Sequence, residues 1–225
     1  KASHGRAHLA ADASSTHADP TKRKQALAQD EEGWTKSMDK EAANHEANGS
    51  WEWIPIGDLP RGRRLIKLVW VFKTKRDGSK KSRLCVQGCS ATHGIDYDQT
   101  FSAALRSSSL RLLAGLAAHN GMRMRRWDFV AAYLQGSLED GETTYCHAPE
   151  GYERYEKDSD GNDILSRPLI CKVVKPVYGM AQAGRRWQRS LFPWLEKYGF
   201  VASNHEPCMF QISKVMDTPD GPRRE

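Results

Sequence analysis

The sequence lacks any long apolar run: no stretch approaches 18 consecutive apolar residues. A helix needs roughly that length to cross a bilayer, so a membrane span is excluded. The chain also starts without the short apolar segment of a secretory signal, and no targeting signal is present. Cysteines are few, odd in number and irregularly spaced, at Cys85, Cys89, Cys146, Cys171 and Cys208. A chain of 225 residues does not need disulfides for stability, so we expect reduced thiols.

Metal-ligand clusters are equally scarce. Cys85, Cys89 and His93 form a C-x3-C-x3-H run, which is one ligand short of a structural zinc site. The run also overlaps a predicted strand. We therefore expect no zinc there, although the spacing alone does not exclude it.

Apolar periodicity is missing from the start of the chain. Residues 1–20 are rich in Ala, Ser, Asp and His, which predicts a disordered tail. Residues 21–50 carry apolar positions at helical spacing among many charges, which predicts a helical lead-in of one or two helices. Residues 51–225 are expected to form the main domain. The net charge of +6 and the pI near 9.1 are compatible with a nucleic-acid partner but do not prove one.

The main domain begins with a clear β-hairpin signal. Two β-rich runs, "IKLVWVFKTK" and "KKSRLCVQG", flank the turn signal "RDGS". Alternation of side chains places Lys73 and Lys75 on one face of the first strand, and Arg83 on the return strand can join them. Such a hairpin is either a clamp for phosphates or a solvated edge protected by its charges. The hairpin alone does not decide between the two.

Further elements complete an α+β pattern. Residues 105–121 predict a buried helix that ends at Asn-Gly, and residues 125–130 predict a strand leading into "AAYLQGSL". Short strands are expected at "TTYCHAP", "LICKVVKPVYG" and "CMFQIS". Between the last two, a helix is expected to bury Trp187 and Trp194. Strands and helices in this order predict an α+β layer architecture.

The stretch "RRWDFVAAYLQG" contains a single carboxylate, Asp128, directly after Arg123, Arg125 and Arg126. A lone acid in such a place either forms a salt bridge with its arginines or is a ligand for something else. Residue pattern alone leaves both alternatives open.

Eight motifs in order make the sequence recognisable. From about Trp34 to Ile212 it resembles the reverse transcriptase domain in the Pol polyprotein of Ty1/copia-type retrotransposons. The stretches that carry the resemblance are "WEWIP", "VWVFKTKRDGSKKSRLCVQG", "GIDYDQTFS", "LRLLAGLAA", "WDFVAAYLQGSL", "YCHAPEGY", "VYGMAQAGRRW" and "YGFVASNHEPCMF". The resemblance implies the fingers and part of the palm of an RNA-directed DNA polymerase, with an RNA template, a DNA primer and deoxynucleoside triphosphates as partners.

Residue roles follow from the same resemblance. Asp128 matches the first catalytic aspartate, a ligand of two Mg²⁺ ions, and Phe129 can add its carbonyl to the metal shell. Tyr133 matches the bulky side chain that excludes a 2′-hydroxyl. The remaining matches are nucleotide contacts at Lys73, Lys75, Arg83 and Gln182, and candidate nucleic-acid contacts at Arg185 and Arg186, whose alternative is a solvated helix face.

The sequence departs from the family pattern in one important way. The family's second metal motif, Tyr-x-Asp-Asp, does not occur in the 225 residues. We therefore expect a polymerase fragment cut before that motif, with enzymatic activity of the chain left open. The alternative is a catalytically inactive nucleic-acid-binding remnant of a decayed element. As part of a retrotransposon, the chain is expected in cytoplasmic particles, with the nucleus as a second compartment; its oligomeric state is left open.

Overall fold

A computed structural model describes residues 18–213, 215–218 and 221–224. The disordered tail predicted for residues 1–20 therefore lies almost entirely outside the described residues. The helices are α1 (Arg23–Gln29), α2 (Glu31–Ala47), α3 (Ser107–His119) and α4 (Ala183–Lys197). The strands are β1 (Trp51–Pro55), β2 (Leu65–Ile66), β3 (Leu68–Thr74), β4 (Lys80–Val86), β5 (Thr144–Cys146), β6 (Tyr155–Lys157), β7 (Asp163–Val173), β8 (Val201–Ala202), β9 (Phe210–Gln211), β10 (Val215–Thr218) and β11 (Gly221–Arg224). The chain is thus a mixed helix and sheet structure.

The helical lead-in consists of two helices separated by Asp30. The Asp30 side chain accepts a hydrogen bond from the Gly33 amide at 2.9 Å and so caps the start of α2. Trp34 and Met38 lie one turn apart on α2 and are both buried. This apolar face packs α2 against the hairpin of β3 and β4, where the Trp34 and Phe72 rings meet edge to face at 5.1 Å.

The central sheet has the strand order β1-β7-β5-β2, and β6 pairs with the outer part of β7. All its pairings are antiparallel except that of β2 with β5. The buried centre of the sheet is apolar and includes Cys146 and Cys171, which lie directly opposite each other on β5 and β7. Burial raises the pKa of the Cys146 thiol to about 12, and all five cysteines are free.

The predicted hairpin is confirmed as β3 and β4, paired from Leu68–Val86 to Thr74–Lys80. Its outward edge is covered by neighbouring elements. The Ser82 amide donates to Ser37 Oγ of α2 at 2.8 Å, and the Leu84 amide donates to Glu41 Oε1 at 3.3 Å. Since unpaired strand edges recruit other strands, α2 protects the hairpin as well as packing on it.

The third outward amide of β4 is satisfied by the turn that precedes α4. Val86 N–H donates to the Tyr178 carbonyl at 2.7 Å. This contact depends on two glycines: a Cβ on Gly88 would lie 2.0 Å from the Gly179 carbonyl oxygen, and one on Gly179 would lie 2.0 Å from that of Val86. Gly179 also has a φ of +89°, a left-handed conformation that favours glycine. The "VYG" motif therefore joins the hairpin by direct backbone approach.

Two expectations for the middle of the chain are wrong. Residues 122–129 form no strand, and every residue from Gly121 to Val130 is exposed. Helix α3 is present, but only Ala117 is buried on it, while Leu110, Leu112 and Leu116 are exposed. The physical reason is shared: within the described part of the chain, no strand pairs with 122–129 and no element packs extensively on α3. Apolar pattern alone does not bury a segment.

Helix α4 forms as predicted, yet its tryptophans are not in the core. Trp194 is 48% exposed and its ring lies tilted against that of Tyr198, which is also exposed. Trp187 is half-buried and meets the Phe129 ring edge to face at 5.0 Å. The residues that α4 does bury are Ala183 and Arg186.

The covered edge of β4 predicts a specific stability loss. Replacing Ser37 with Ala leaves the buried Ser82 amide without its acceptor, which should lower the free energy of unfolding by about 2 kcal/mol. Urea denaturation followed by circular dichroism measures this. Ser108→Ala, at an exposed serine of α3 with no side-chain hydrogen bond in the described structure, is the matched control and should shift the midpoint little. Equal losses in the two variants would contradict the role of Ser37.

Candidate functional site

Asp128 is the residue on which the sequence analysis converged, and the structure places it in solvent. Within the described residues, no salt bridge joins it to Arg123, Arg125 or Arg126. Of the two alternatives for this acid, the local ion pair is therefore not the one observed. The carboxylate is available to a ligand.

The backbone turns sharply three residues after Asp128. Ala131 has φ 50° and ψ 43°, and it is the single non-glycine residue with positive φ in the described structure. This left-handed conformation costs an alanine roughly 1–2 kcal/mol. The turn starts a short 3₁₀ segment, Ala132–Gln135, which buries Leu134 and keeps Tyr133 half-buried. Strain of this kind is common beside functional groups.

The Tyr178 ring contacts two of the predicted site residues. This ring lies 4.8 Å from the Tyr133 ring, centroid to centroid, and the Arg83 guanidinium lies over it at 5.3 Å. Burial raises the pKa of the Tyr178 phenol; Arg83 opposes this, and the charges of Glu41 and Asp128 add to it. The structure brings two of the predicted site residues, Tyr133 and Arg83, against a tyrosine that sequence reasoning missed.

Tyr178 could have been found from the sequence. It stands in the quoted motif "VYGMAQAGRRW", directly before a glycine. A tyrosine before a glycine that must adopt positive φ is held in one direction by the turn. The sequence predicts a role for Gln182 in this motif, and Tyr178 stands four positions before it.

A groove of about 690 Å³ opens beside Tyr178. One wall is the face of α2 that carries Lys36 and Lys40, and the other is β4 with its preceding turn. At the end nearest Asp128 it is lined by Val130, Ala131 and Tyr178. This groove, called the α2–β4 groove below, contains the cations Lys36, Lys40, Lys75, Lys80, Lys81 and Arg83.

Lys73 and Lys75 lie in different parts of the hairpin, and of the two only Lys75 lines the groove. Lys73 lies on the outer face of β3, opposite Lys81, and does not line the groove. Lys75 is in the turn after β3, where its amide donates to the Ser79 carbonyl at 2.9 Å, and it does line the groove. Of the two lysines predicted to contact phosphates, Lys75 is therefore the one that lines the groove together with Arg83.

Gln182 is buried at the N-cap position of α4, where its side chain makes no capping hydrogen bond. Its amide Nε2 donates to the Asp96 carbonyl at 3.2 Å. Asp96 itself is buried, accepts from the Thr92 amide at 2.7 Å and faces Arg63 at 3.6 Å. The loop "GIDYDQTFS" is thus fastened to α4 through Gln182, and a nucleotide contact by this side chain stays a prediction.

The two α4 arginines have internal partners. Arg185 donates to the Phe101 carbonyl at 3.4 Å and to the Gln99 side chain. Arg186 is 3% exposed and pairs with Glu139 and Glu142, although burial works against its charge. A guanidinium held this way does not reach a template phosphate in this arrangement. The alternative of a solvated helix face does not describe Arg186 either.

Metal ligands are sparse around Asp128. Over the described ranges, no group of three His, Cys, Asp or Glu side chains is placed to hold a metal ion. Cys85 is not part of such a group either, and burial raises the pKa of its thiol to about 11. The Asp128 carboxylate and the Phe129 carbonyl stay the predicted oxygen donors. One carboxylate does not complete a two-ion site.

None of the helices in the described ranges is long and apolar enough to cross a membrane.

Comparison with known proteins identifies the family of the chain. Residues 50–216 match the family model described as "Reverse transcriptase (RNA-dependent DNA polymerase)". The chain is 32% identical over 180 residues to the retrovirus-related Pol polyprotein from transposon TNT 1-94 of Nicotiana tabacum, covering 78% of this chain and 12% of that polyprotein. It is 30% identical over 192 residues to the Pol polyprotein from transposon RE2 of Arabidopsis thaliana, covering 83% and 12%.

A more distant relative is the transposon Ty1-BL Gag-Pol polyprotein of Saccharomyces cerevisiae, 26% identical over 159 residues, or 68% of this chain and 8% of that polyprotein. No solved structure gives a significant match. The chain spans about an eighth or less of the length of these relatives. Since the family model covers well over half of the 225 residues, the chain belongs to the reverse transcriptase (RNA-dependent DNA polymerase) family of Ty1/copia-type retrotransposons.

Proposed function

We propose that this chain forms the fingers and part of the palm of an RNA-directed DNA polymerase, which copies an RNA template onto a DNA primer. The observation that carries the proposal is the cluster around Tyr178. There a half-buried tyrosine (Tyr133) and a hairpin cation (Arg83) both contact the Tyr178 ring at one end of a basic groove, and the exposed carboxylate of Asp128 precedes Val130, which lines that end. These are the residue types that templated nucleotidyl transfer requires.

Each group has a defined task in the proposal. Arg83 and Lys75 hold the triphosphate of the incoming nucleotide, because guanidinium and ammonium groups donate to phosphate oxygens. Arg83 is held by the Tyr178 ring, so its direction is set before a nucleotide arrives. Tyr133 is held by the same ring and presents a fixed surface to the sugar. Preorganised side chains lose less entropy on binding than mobile ones do.

Asp128 is the proposed metal ligand, with the Phe129 carbonyl beside it. Mg²⁺ ions bound there would lower the pKa of the attacking hydroxyl and neutralise charge on the phosphates. Because one carboxylate does not complete a two-ion site, the further carboxylates of the proposed enzyme are not among the described residues. Exposure of Asp128 is consistent with a ligand that is shared with other groups.

The alternative is a catalytically inactive remnant that binds nucleic acid through phosphates. Over the residues that the structure describes, Asp128 belongs to no group of carboxylates that could hold a metal ion, which favours this alternative. The two functions differ in one readout, since the remnant binds nucleic acid but incorporates no nucleotide even within a longer polyprotein.

The metal-ligand proposal predicts the effect of Asp128→Asn in the complete polyprotein. The amide cannot provide the anionic ligand, so primer extension should fall by at least about 10²-fold. Binding of the template, measured by fluorescence polarisation, should stay within twofold of the parent protein. Asp98→Asn, at a carboxylate outside this cluster, is the matched control and should extend primers normally. Full incorporation by Asp128→Asn would refute the role.

The sugar-contact proposal predicts the effect of Tyr133→Val. A smaller side chain opens space beside the Tyr178 ring, so the preference for deoxynucleotides over ribonucleotides should fall by about 10-fold or more. The ratio of kcat/KM values for the two substrates measures this in primer extension. Tyr198→Val, at an exposed tyrosine beyond α4, should leave the ratio unchanged. An unaltered ratio in Tyr133→Val would show that another residue contacts the sugar.

A further inference from the structure

The 3₁₀ segment that carries Tyr133 contacts α4 and the turn before it at two places. At one, the Tyr133 ring lies 4.8 Å from the ring of Tyr178. At the other, the segment ends at Gly136, where an added Cβ would lie 3.2 Å from the Arg186 carbonyl carbon. The backbone of the segment therefore lies directly on the first turn of α4. The position of Tyr133 thus depends on how this part of the chain is held against α4.

The chain then makes a turn at residues 139–142, called the acidic turn below. The Glu142 amide donates to the Glu139 carbonyl at 3.1 Å, and the Glu139 amide donates to Glu142 Oε2 at 3.0 Å. The Glu142 side chain is buried. A buried carboxylate is costly unless it is paired and hydrogen-bonded. The acidic turn therefore requires a cation beside Glu142.

Arg186 provides that cation from α4. Its Nη2 donates to Glu142 Oε1 and, at 2.6 Å, to Glu139 Oε2. Burial acts to lower the pKa of Arg186, but its hydrogen bonds with Glu142 and Glu139 raise it on balance, so the guanidinium stays charged. The donors of a guanidinium are coplanar, so binding two carboxylates at once fixes its orientation. Arg186 therefore holds the acidic turn against α4 in one arrangement.

A second arginine of α4 makes a similar contact without being buried. Arg189 also pairs with Glu139, but its side chain is 57% exposed, whereas that of Arg186 is 3% exposed. Exposed ion pairs contribute little to stability, while removal of one partner from a buried pair is strongly destabilising. The chain thus contains its own comparison between a buried and an exposed arginine on the same helix and the same carboxylate.

The backbone before Tyr133 needs such support. Ala131 has a positive φ, and a strained conformation of this kind persists only where the surrounding structure holds it. Tyr133 lies between this strained residue and the contact of Gly136 with Arg186. If the acidic turn moves away from α4, relaxation at Ala131 can carry the Tyr133 ring away from Tyr178.

We propose that Arg186 is a positioning residue for the sugar discrimination assigned to Tyr133, because it holds the acidic turn on α4 and thereby keeps the Tyr133 ring against Tyr178. The inference rests on the proposed function, in which Tyr133 contacts the sugar of the incoming nucleotide. Arg186 does not itself reach the nucleotide in this proposal, since Glu139 and Glu142 enclose its guanidinium.

Three variants separate positioning from general stability. Arg186→Met/Glu142→Gln removes both charges of the buried pair, so neither is left unpaired, and the new amide oxygen can still accept from the Glu139 amide. Arg186→Lys keeps the positive charge but lacks the planar fork. Arg189→Met, at the exposed arginine, is the matched control. Urea denaturation establishes which variants remain folded.

Hydrogen exchange of the 225-residue chain tests the positioning without any substrate. Amides of residues 133–142 should exchange at least about 10-fold faster in Arg186→Met/Glu142→Gln than in the parent, because local opening no longer breaks the ion pairs. The Ser82 and Leu84 amides of β4 should keep their rates, and Arg189→Met should match the parent in both regions. Unchanged exchange at residues 133–142, or equally faster exchange along the whole chain, would overturn the inference.

Primer extension by the complete polyprotein tests the consequence for the sugar. The ratio of kcat/KM values for deoxynucleotides over ribonucleotides should fall by at least about fivefold in Arg186→Met/Glu142→Gln. It should fall less in Arg186→Lys and stay unchanged in Arg189→Met. A loss of folded enzyme lowers both kcat/KM values equally, so a merely structural role of Arg186 leaves the ratio unaltered.

The Tyr133→Val variant, measured in parallel, distinguishes the two possible failures. A lowered ratio in Tyr133→Val beside an unchanged ratio in Arg186→Met/Glu142→Gln would overturn the role of Arg186 and leave the proposed sugar contact standing. An unchanged ratio in Tyr133→Val would show that the proposed sugar contact is wrong, and the inference about Arg186 would fail with it.

Discussion

The outward edge of β4 is the constraint on which the other features depend. A two-stranded hairpin leaves every second amide of its outer strand unpaired, and buried unpaired amides are costly. Here those amides donate, in order along the strand, to Ser37 Oγ, Glu41 Oε1 and the Tyr178 carbonyl. The same three contacts bring the lead-in helix, the hairpin and the "VYG" turn to one place. The Arg83–Tyr178–Tyr133 cluster and the α2–β4 groove both follow from how this edge is satisfied.

Much of the local structure could be predicted from the sequence, because it depends on short-range signals. The hairpin has a turn signal between two β-rich runs, and α2 has a capping aspartate followed by apolar residues at helical spacing. The strand at "TTYCHAP" and the helix after "AQAG" were placed correctly for similar reasons. The family itself was recognisable because eight short motifs occur in order, each carrying more information than periodicity does.

What the sequence could not provide is the partner of each segment. The apolar positions of α3 have the spacing of a buried helix face, as at Leu110, Leu112 and Leu116. Burial also requires a second surface to pack against, and apolar spacing does not predict which segment provides it. Trp194 failed as a core residue for the same reason. Arg186 was expected either to bind a phosphate or to face solvent, whereas Glu139 and Glu142 enclose it. Those acids lie more than 40 positions away in the sequence, and no local pattern links them to α4.

The left-handed backbone at Ala131 has a consequence for which sequences this site tolerates. Glycine, asparagine and aspartate adopt that conformation readily, while valine, isoleucine and threonine are strained in it. By hydropathy, valine would be the conservative replacement for alanine and aspartate a radical one; at position 131 the order is reversed. At position 131 of the "DFVAAY" motif, backbone conformation therefore restricts substitutions more than side-chain polarity does. Natural variants should carry glycine, asparagine or aspartate at this position more often than valine, isoleucine or threonine.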